Sequence, residues 1–266
     1  MILALINNKG GVGKTTSAVN LAAALAASGQ RILLVDLDSQ GAASLSCGLR
    51  RAELNPSIAD VLLHSHPPVK AVRSTGIKNV DLLTGSGELA QADLLLAQVT
   101  GRETRLRDAL DPLRDSYDSI IIDCPPSISL LSTNALLAAD SYIVPVAPHY
   151  LALGGLASLL DAINQLCDKG HGEVAELLGF LLTMVDYRNK TTTGLVESLR
   201  ANWGEHVFKN EIRINVRLSE APSQGKSIFS YAPSCAGAKA YKALAKEVVT
   251  RHAEWFEEAP AEAVKT

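Results

Sequence analysis

Apolar residues along this chain fall into two alternating patterns. Short unbroken runs of strand length, at residues 2–7, 31–36, 118–123, 141–146 and 177–183, with a weaker one at 80–83, are separated by longer stretches of helical periodicity. Those stretches predict helices over 15–28, 57–64, 89–99, 104–113, 130–139, 151–168, 192–201 and 235–256. A run with no polar face belongs to a strand covered on both sides, and its alternation with helices is the mark of a parallel sheet. The expected fold is therefore α/β, a largely parallel twisted sheet of about seven to eight strands flanked by helices. Gly29 ends the first helix, and Asn55-Pro56-Ser57 and His66-Pro67-Pro68 read as breaks. No internal repeat or low-complexity segment interrupts the pattern, which gives one domain over 1–256 and a flexible acidic tail over 257–266. In such a sheet ligands bind beyond the carboxyl ends of the strands, so Asn7, Asp36 and Asp123 should converge on one rim.

Composition narrows the class. The 266 residues are 47% hydrophobic and 20% charged, enough apolar surface for a large core and too much for a disordered chain. No apolar run reaches the ~18–20 residues of a membrane span, and the N-terminus lacks a signal-peptide pattern, so a cytoplasmic protein is expected. Cys47, Cys124, Cys167 and Cys235 lie too far apart for a Cys-x-x-Cys pair or a metal cluster and read as buried free thiols. A net charge of −3 excludes a wholesale basic surface. Charge is unevenly spread, however: residues 187–230 hold seven Lys/Arg against four Glu, while the segment after Arg251 carries Glu254, Glu257, Glu258 and Glu262 against Lys265 alone.

The informative chemistry lies in Asn8-Lys9-Gly10-Gly11-Val12-Gly13-Lys14-Thr15-Thr16, between the first strand and the first helix. Glycines there let backbone N–H groups turn inward around a phosphate, and the helix N-terminus adds partial positive charge. Lys14 can bridge the β- and γ-oxygens, and the Thr15 hydroxyl can reach Mg²⁺. Two further strands end in carboxylates, at Asp36-Leu37-Asp38 and at Asp123-Cys124-Pro125-Pro126. A lone aspartate in such a place can equally cap a turn. Together with the loop, they supply the charge and positioning that phosphoryl transfer requires. No Ser/His/Asp or Cys/His nucleophile is evident.

The loop departs from Gly-x₄-Gly-Lys-Ser/Thr in having Asn8 at the first glycine and an extra lysine, Lys9, before the others. In this it resembles the deviant Walker A motif of the ParA/MinD group of P-loop ATPases. Resemblance to the ParA (Soj-like) partition branch extends to Asn134-Ala135-Leu136, Thr183-Met184-Val185-Asp186 and the block from Asn215-Val216-Arg217 to Lys226. It implies a P-loop NTPase fold and a Mg²⁺-dependent ATPase, slow and partner-stimulated, whose nucleotide site comprises Lys9, Gly10, Gly11, Val12, Gly13, Lys14, Thr15 and Thr16. By the same resemblance Lys9 reaches the partner's phosphates in an ATP-dependent homodimer. Asp38 orients the attacking water, Asp36 supports the metal shell, and Thr15 and Asp123 hold Mg²⁺. Arg188 and Arg217 would face nonspecific DNA, a ParB-like centromere-binding protein would stimulate hydrolysis, and the protein would be nucleoid-associated. Ser39, Ala42, His149 and the pair Arg213-Ile214 depart from the family's usual residues.

Rival readings remain within the same fold. A GTPase should carry Asn-Lys-x-Asp where this chain has Val185-Asp186-Tyr187-Arg188, which favours ATP. A MinD-like membrane-cycling ATPase should carry glycine at position 8 and a basic amphipathic C-terminal helix, against Asn8 and an acidic end here. An iron-sulfur member needs paired cysteines; a metabolic member such as a dethiobiotin synthetase, or a relative that positions another cargo, stays open. The chain starts at its first strand with no helix-turn-helix before it, so site-specific operator binding is not expected.

Overall fold

The computed structural model describes residues 1–149, 152–167 and 173–258. In chain order the elements are β1 (Ile2–Leu5), α1 (Lys14–Ala27), β2 (Ile32–Asp36), α2 (Ala42–Ser46), α3 (Ile58–His64), α4 (Pro68–Ala71), β3 (Val72–Ser74), β4 (Val80–Leu83), α5 (Ala92–Leu95), α6 (Arg105–Leu110), β5 (Ser119–Asp123), α7 (Leu130–Ala138), β6 (Ser141–Val146), α8 (Ala152–Cys167), β7 (Glu176–Leu182), α9 (Lys190–Trp203), α10 (Val216–Glu220), α11 (Ile228–Tyr231) and α12 (Ala236–Glu258).

The strands form one seven-stranded sheet in the order β3-β4-β2-β5-β1-β6-β7, parallel except for β3, which runs antiparallel to β4. Every residue of β1, β2, β5 and β6 is buried, the consequence of their unbroken apolar runs. Alternate residues feed two layers: Leu3, Leu5, Leu34 and Ile121 pack beneath α1 and α12, while Ala4, Leu33, Ile122 and Val144 pack against α3, α6, α7 and α8. Small Ala22 and Ala23 are buried in α1, which lies against α12, and Ser17 shares a 3.0 Å hydrogen bond with Tyr241 across that seam. Register places Leu5 and Asp36 on either side of Asp123, so the carboxyl ends of β1, β2 and β5 meet at one edge. The expected convergence of Asn7, Asp36 and Asp123 follows from that.

Differences from the sequence pattern have local causes. β3 has only three residues and an exposed Ser74, too short to show as an apolar run. The helix expected over 89–99 is a 3₁₀ turn at Gly87–Gln91 followed by α5. That over 104–113 breaks after Leu110 into a 3₁₀ segment, Asp111–Ser116, where Pro112 has no N–H to continue the ladder. Pro68 does not merely break the chain; it opens α4, where its missing donor costs nothing. α2, α10 and α11 are too short for periodicity to reveal. All four cysteines are free, but only Cys47 and Cys124 are buried; Cys167 is exposed and Cys235 half-buried, because they fall at the end of α8 and just before α12 rather than on a core face. Leu151 and Asp168, the outer residues of the helix expected over 151–168, and tail residues 259–266 lie outside the described residues.

Candidate functional site

The loop after β1 is fixed from both sides. Asn7 donates from Nδ2 to the Pro145 carbonyl (2.8 Å) and accepts the Lys9 N–H (2.9 Å), tying the loop's start to β6. Beyond it, the Thr183 hydroxyl donates to the Val12 carbonyl (2.9 Å), tying the loop's far side to the end of β7. Gly11 (φ 71°) and Gly13 (φ 83°) hold left-handed conformations that a side chain would strain. Gly13 caps α1 with no side-chain acceptor, leaving the helix's first N–H groups for a ligand. The cavity in front of the loop, about 220 Å³, is lined by Gly10, Gly11, Gly13, Lys14, Thr15, Thr16, Asp38, Pro126 and Met184. Lys14 is buried, and its Nζ donates to the Lys9 carbonyl at 2.8 Å. Burial pushes its ammonium pKa down, opposed mainly by the charge of Asp123.

Three aspartates stand behind this cavity in different circumstances. Asp123 is completely buried, and neither carboxylate oxygen has a hydrogen-bond partner. Burial, then neighbouring Asp36, drive its pKa well above the carboxylate range, with Thr15 and Lys14 pulling the other way. Asp36 is equally buried but fully engaged: Oδ2 accepts from the Ser44 N–H (2.8 Å) and hydroxyl (2.7 Å), and Oδ1 accepts the Asp38 N–H (3.2 Å). Burial pushes its pKa up to about 6. Asp38 is half-buried, accepts the Gln40 N–H (2.9 Å) and faces the cavity.

A buried carboxylate without a donor, beside a threonine hydroxyl, suits a hard divalent cation. No group of three or more His, Cys, Asp or Glu among the described residues could hold a metal unaided, so a cation here would need oxygens from phosphate and water. The donor set fits Mg²⁺ bound together with a nucleotide.

Sequence reasoning missed two residues. Ser44 bridges Asp36 to the Gly85 N–H, which donates to its hydroxyl at 3.1 Å. Gly85 passes so close that an added Cβ would lie 2.5 Å from the Asp38 carbonyl oxygen and 2.9 Å from Asp36 Cγ and Oδ1. The Thr84-Gly85-Ser86-Gly87 sequence directly after 80–83 was a readable signal for Gly85, since that strand ends at the same rim; Ser44 carried none. Asn134, quoted above for resemblance, is structural: it accepts the Leu106 N–H (2.9 Å) and donates to the Arg102 carbonyl (2.8 Å), joining α7 to the start of α6.

Neither arginine lines the cavity in front of the phosphate loop; they follow segments that run side by side, since Val185 pairs with Arg213 in an isolated bridge. Arg188, with 84% of its side chain exposed, is held by Asp186 through Nε (2.8 Å) and Nη2 (2.7 Å). Arg217 pairs with Glu220 at 2.8 Å. Arg213 lies over the Tyr187 ring and pairs with Glu211 at 3.1 Å, while His149 is exposed. On the solvent face of α12, Lys239, Lys242 and Lys246 are exposed and make no ion pair among the described residues.

A glycine-rich loop at the carboxyl end of a central parallel strand, with an extra lysine and two buried strand-end aspartates, defines a P-loop nucleotide-hydrolase architecture of the ParA/MinD type. The AAA domain family matches residues 1–175. The sporulation initiation inhibitor protein Soj of Bacillus subtilis is 43% identical over 247 residues, covering 93% of this chain and 97% of Soj. The chromosome partitioning protein ParA of Caulobacter vibrioides is 41% identical over 252 residues, 94% of each chain. Among solved structures, cobyrinic acid a,c-diamide synthase from Mycobacterium smegmatis, with bound ADP and magnesium, superposes with a TM-score of 0.81 at 33% identity over 95% of both chains. The cell division ATPase MinD of Pyrococcus furiosus gives 0.75 at 26% identity over 94% of this chain and 98% of its own. The chain belongs to the Soj/ParA family of chromosome-partitioning P-loop ATPases.

Proposed function

We propose that this protein is a Mg²⁺-dependent ATPase that closes into a homodimer around two ATP molecules, holds DNA without sequence preference, and uses hydrolysis to drive chromosome or plasmid segregation. The observation that carries the reading is the unpartnered, buried Asp123 carboxylate behind a phosphate loop whose lysine has only a backbone carbonyl to bind. Both groups are held at an energetic cost that a bound metal nucleotide would offset. The N–H groups of Gly10 to Thr16 and the Lys14 ammonium would cradle the β- and γ-phosphates. Thr15 and Asp123 would hold Mg²⁺, which supplies neutralisation of charge on the transferring phosphoryl group. Asp38, at the cavity wall, would orient the attacking water. Asp36 would act from behind, through the hydrogen bond that fixes the Asp38 backbone. Lys9 would supply the charge from the partner's side.

Duplex DNA would meet Arg188 and Arg217, with the Lys239, Lys242 and Lys246 stripe adding positive charge. Backbone phosphates ask only for charge, which suits a surface of lysines and arginines with no base-reading geometry. A ParB-like DNA-bound protein would be the stimulating partner, and the ATP-bound protein would sit on the nucleoid. No helix among the described residues is long and apolar enough to cross a membrane. The deciding experiment is retention of the protein on nonspecific duplex DNA with ATP, with ADP and without nucleotide. ATP-specific retention is the expected result. ATP-dependent capture by anionic vesicles in place of DNA would favour the MinD-like alternative, and indifference to both would point to another cargo.

A further inference from the structure

Gly48 and Gly225, far apart in sequence, touch backbone to backbone. A Cβ added at Gly225 would lie 2.6 Å from Gly48 Cα and 3.2 Å from its nitrogen, and one added at Gly48 would lie 3.0 Å from the Gly225 carbonyl oxygen. Both residues hold left-handed conformations, with φ 93° at Gly48 and 59° at Gly225. On one side the contact ends the loop that carries Asp38. The Asp38 carbonyl accepts the Gly41 N–H (2.9 Å), Gly41 caps α2, and the Gly48 N–H closes the far end of α2 on the Leu45 carbonyl (3.1 Å). On the other side Gly225 ends a 3₁₀ turn, Ala221–Gln224, that continues directly from α10, the helix of Arg217. That stretch is anchored in its turn. The Gly225 N–H donates to the Pro222 carbonyl (3.0 Å), and the Ile228 N–H donates to Asn20 Oδ1 (2.8 Å), while Asn20 Nδ2 donates to the Thr16 carbonyl (2.8 Å). Gly225 is thus held from α1, and the end of α2 rests against it.

We propose that Gly225 is a positioning residue for the Asp38 loop, setting where α2 ends and through it where Asp38 stands in front of the phosphate loop. This rests on the reading above in which Asp38 orients the attacking water. The near end of α2 is tied to Asp36 through Ser44, and its far end has Gly225. With only five residues, α2 is too short to absorb a displacement at Gly48 along its length, so the shift passes to Gly41 and Asp38. The hydrolysis loop and the segment of Arg217 therefore share one support.

Gly225→Ala is the test. Its Cβ would need about 0.8 Å more room to reach ordinary contact with Gly48, and because the obstacle is backbone, α2 must shift. Gly48→Ala presses on the same contact more gently, by about 0.4 Å, and decides the matter should Gly225→Ala not fold. Gly101→Ala is the control, since φ there is 72° and an added Cβ would make only an ordinary contact, 3.9 Å from Thr104 Oγ1. The readouts are single-turnover hydrolysis of labelled ATP without DNA, titration with a fluorescent ATP analogue, and a thermal melt. Gly225→Ala should slow hydrolysis by about tenfold or more, with ATP affinity within about threefold of the parent. Gly48→Ala should slow it several-fold, and the double variant should be no slower than Gly225→Ala, because both substitutions disturb one contact. Gly101→Ala should hydrolyse ATP at the parental rate. Parental hydrolysis in the folded Gly225 variant, or in Gly48→Ala where the first does not fold, overturns the proposal. So do an equal loss in Gly101→Ala, losses that multiply in the double variant, or a loss of ATP affinity as large as the loss of rate, which would put the damage in α1 and the phosphate loop. The broader reading fails by other results: parental hydrolysis in Asp38→Ala, or no ATP-dependent retention on DNA.

Discussion

Gly85→Ala is the sharpest test of how the two loop aspartates are held. An alanine Cβ would sit 2.5 Å from the Asp38 carbonyl oxygen, and ordinary contact begins at 3.4 Å, so the backbone at Asp38 or Gly85 must move by about 0.9 Å. Neither side yields easily. Gly85 is anchored by its N–H to Ser44, and Ser44 and Asp38 are both bonded to buried Asp36. Overpacking of this kind costs about 1–3 kcal/mol, and for a domain of this size that lowers Tm by roughly 2–10 °C. The functional effect should be larger than the structural one, because misplacing a water-orienting group by about 1 Å costs on the order of 100-fold in rate. The phosphate loop hangs instead on Asn7 and Thr183, so ATP affinity should stay within about threefold of the parent. Steady-state ATP hydrolysis, nucleotide titration and a thermal melt on the same preparation separate these effects. Gly87→Ala, where an added Cβ meets nothing within 4 Å, serves as the control. Parental hydrolysis and Tm in Gly85→Ala would refute the claim that Gly85 positions Asp38.

Lys14→Ala should abolish productive ATP binding, read by titration with a fluorescent ATP analogue; parental affinity would sink the phosphate-loop assignment. Asp38→Ala should leave ATP and Mg²⁺ bound while hydrolysis falls by on the order of 100-fold or more, trapping an ATP dimer visible by sedimentation. Asp123→Asn keeps the size of this buried side chain but removes its capacity for negative charge, so ATP binding should lose its Mg²⁺ dependence, read by metal titration with a fluorescent ATP analogue. Parental Mg²⁺ dependence would remove Asp123 from the metal site. Arg217→Ala should flatten the slope of log DNA affinity against log salt by about 0.9 per lost phosphate contact, up to about 1.8 for the dimer, without changing sequence preference. Because Glu220 competes for that arginine at 2.8 Å, Glu220→Gln should tighten DNA binding, and parental binding in both variants would remove Arg217 from the DNA face.

The sheet and the phosphate loop were legible in the chain because each rests on a local rule. Strands buried on both faces must be apolar throughout, and a loop that wraps phosphate needs glycines before a helix, so 31–36, 118–123 and 141–146 stand out, as do Gly11 and Gly13. What could not be read is what depends on residues distant in sequence meeting at one rim. Asp36 and Asp38 look alike as strand-end carboxylates, yet tertiary structure makes one a buried acceptor for Ser44 and leaves the other facing the cavity. Asp123 looks like either, and only the packing around it shows that both oxygens are unpartnered. The arginines show the same limit: a charged side chain is expected at the surface, but that each meets a carboxylate two or three residues away depends on backbone geometry that periodicity does not report. The sequence by itself determined the α/β class, the loop and the candidate carboxylates, because these follow from burial period and backbone permissiveness. Tertiary structure alone decided which carboxylate accepts hydrogen bonds from Ser44, which is buried without a partner and which faces the cavity, and set Lys9 against Gly155 and Asp38 against Gly85, because those contacts join positions brought together only by the sheet.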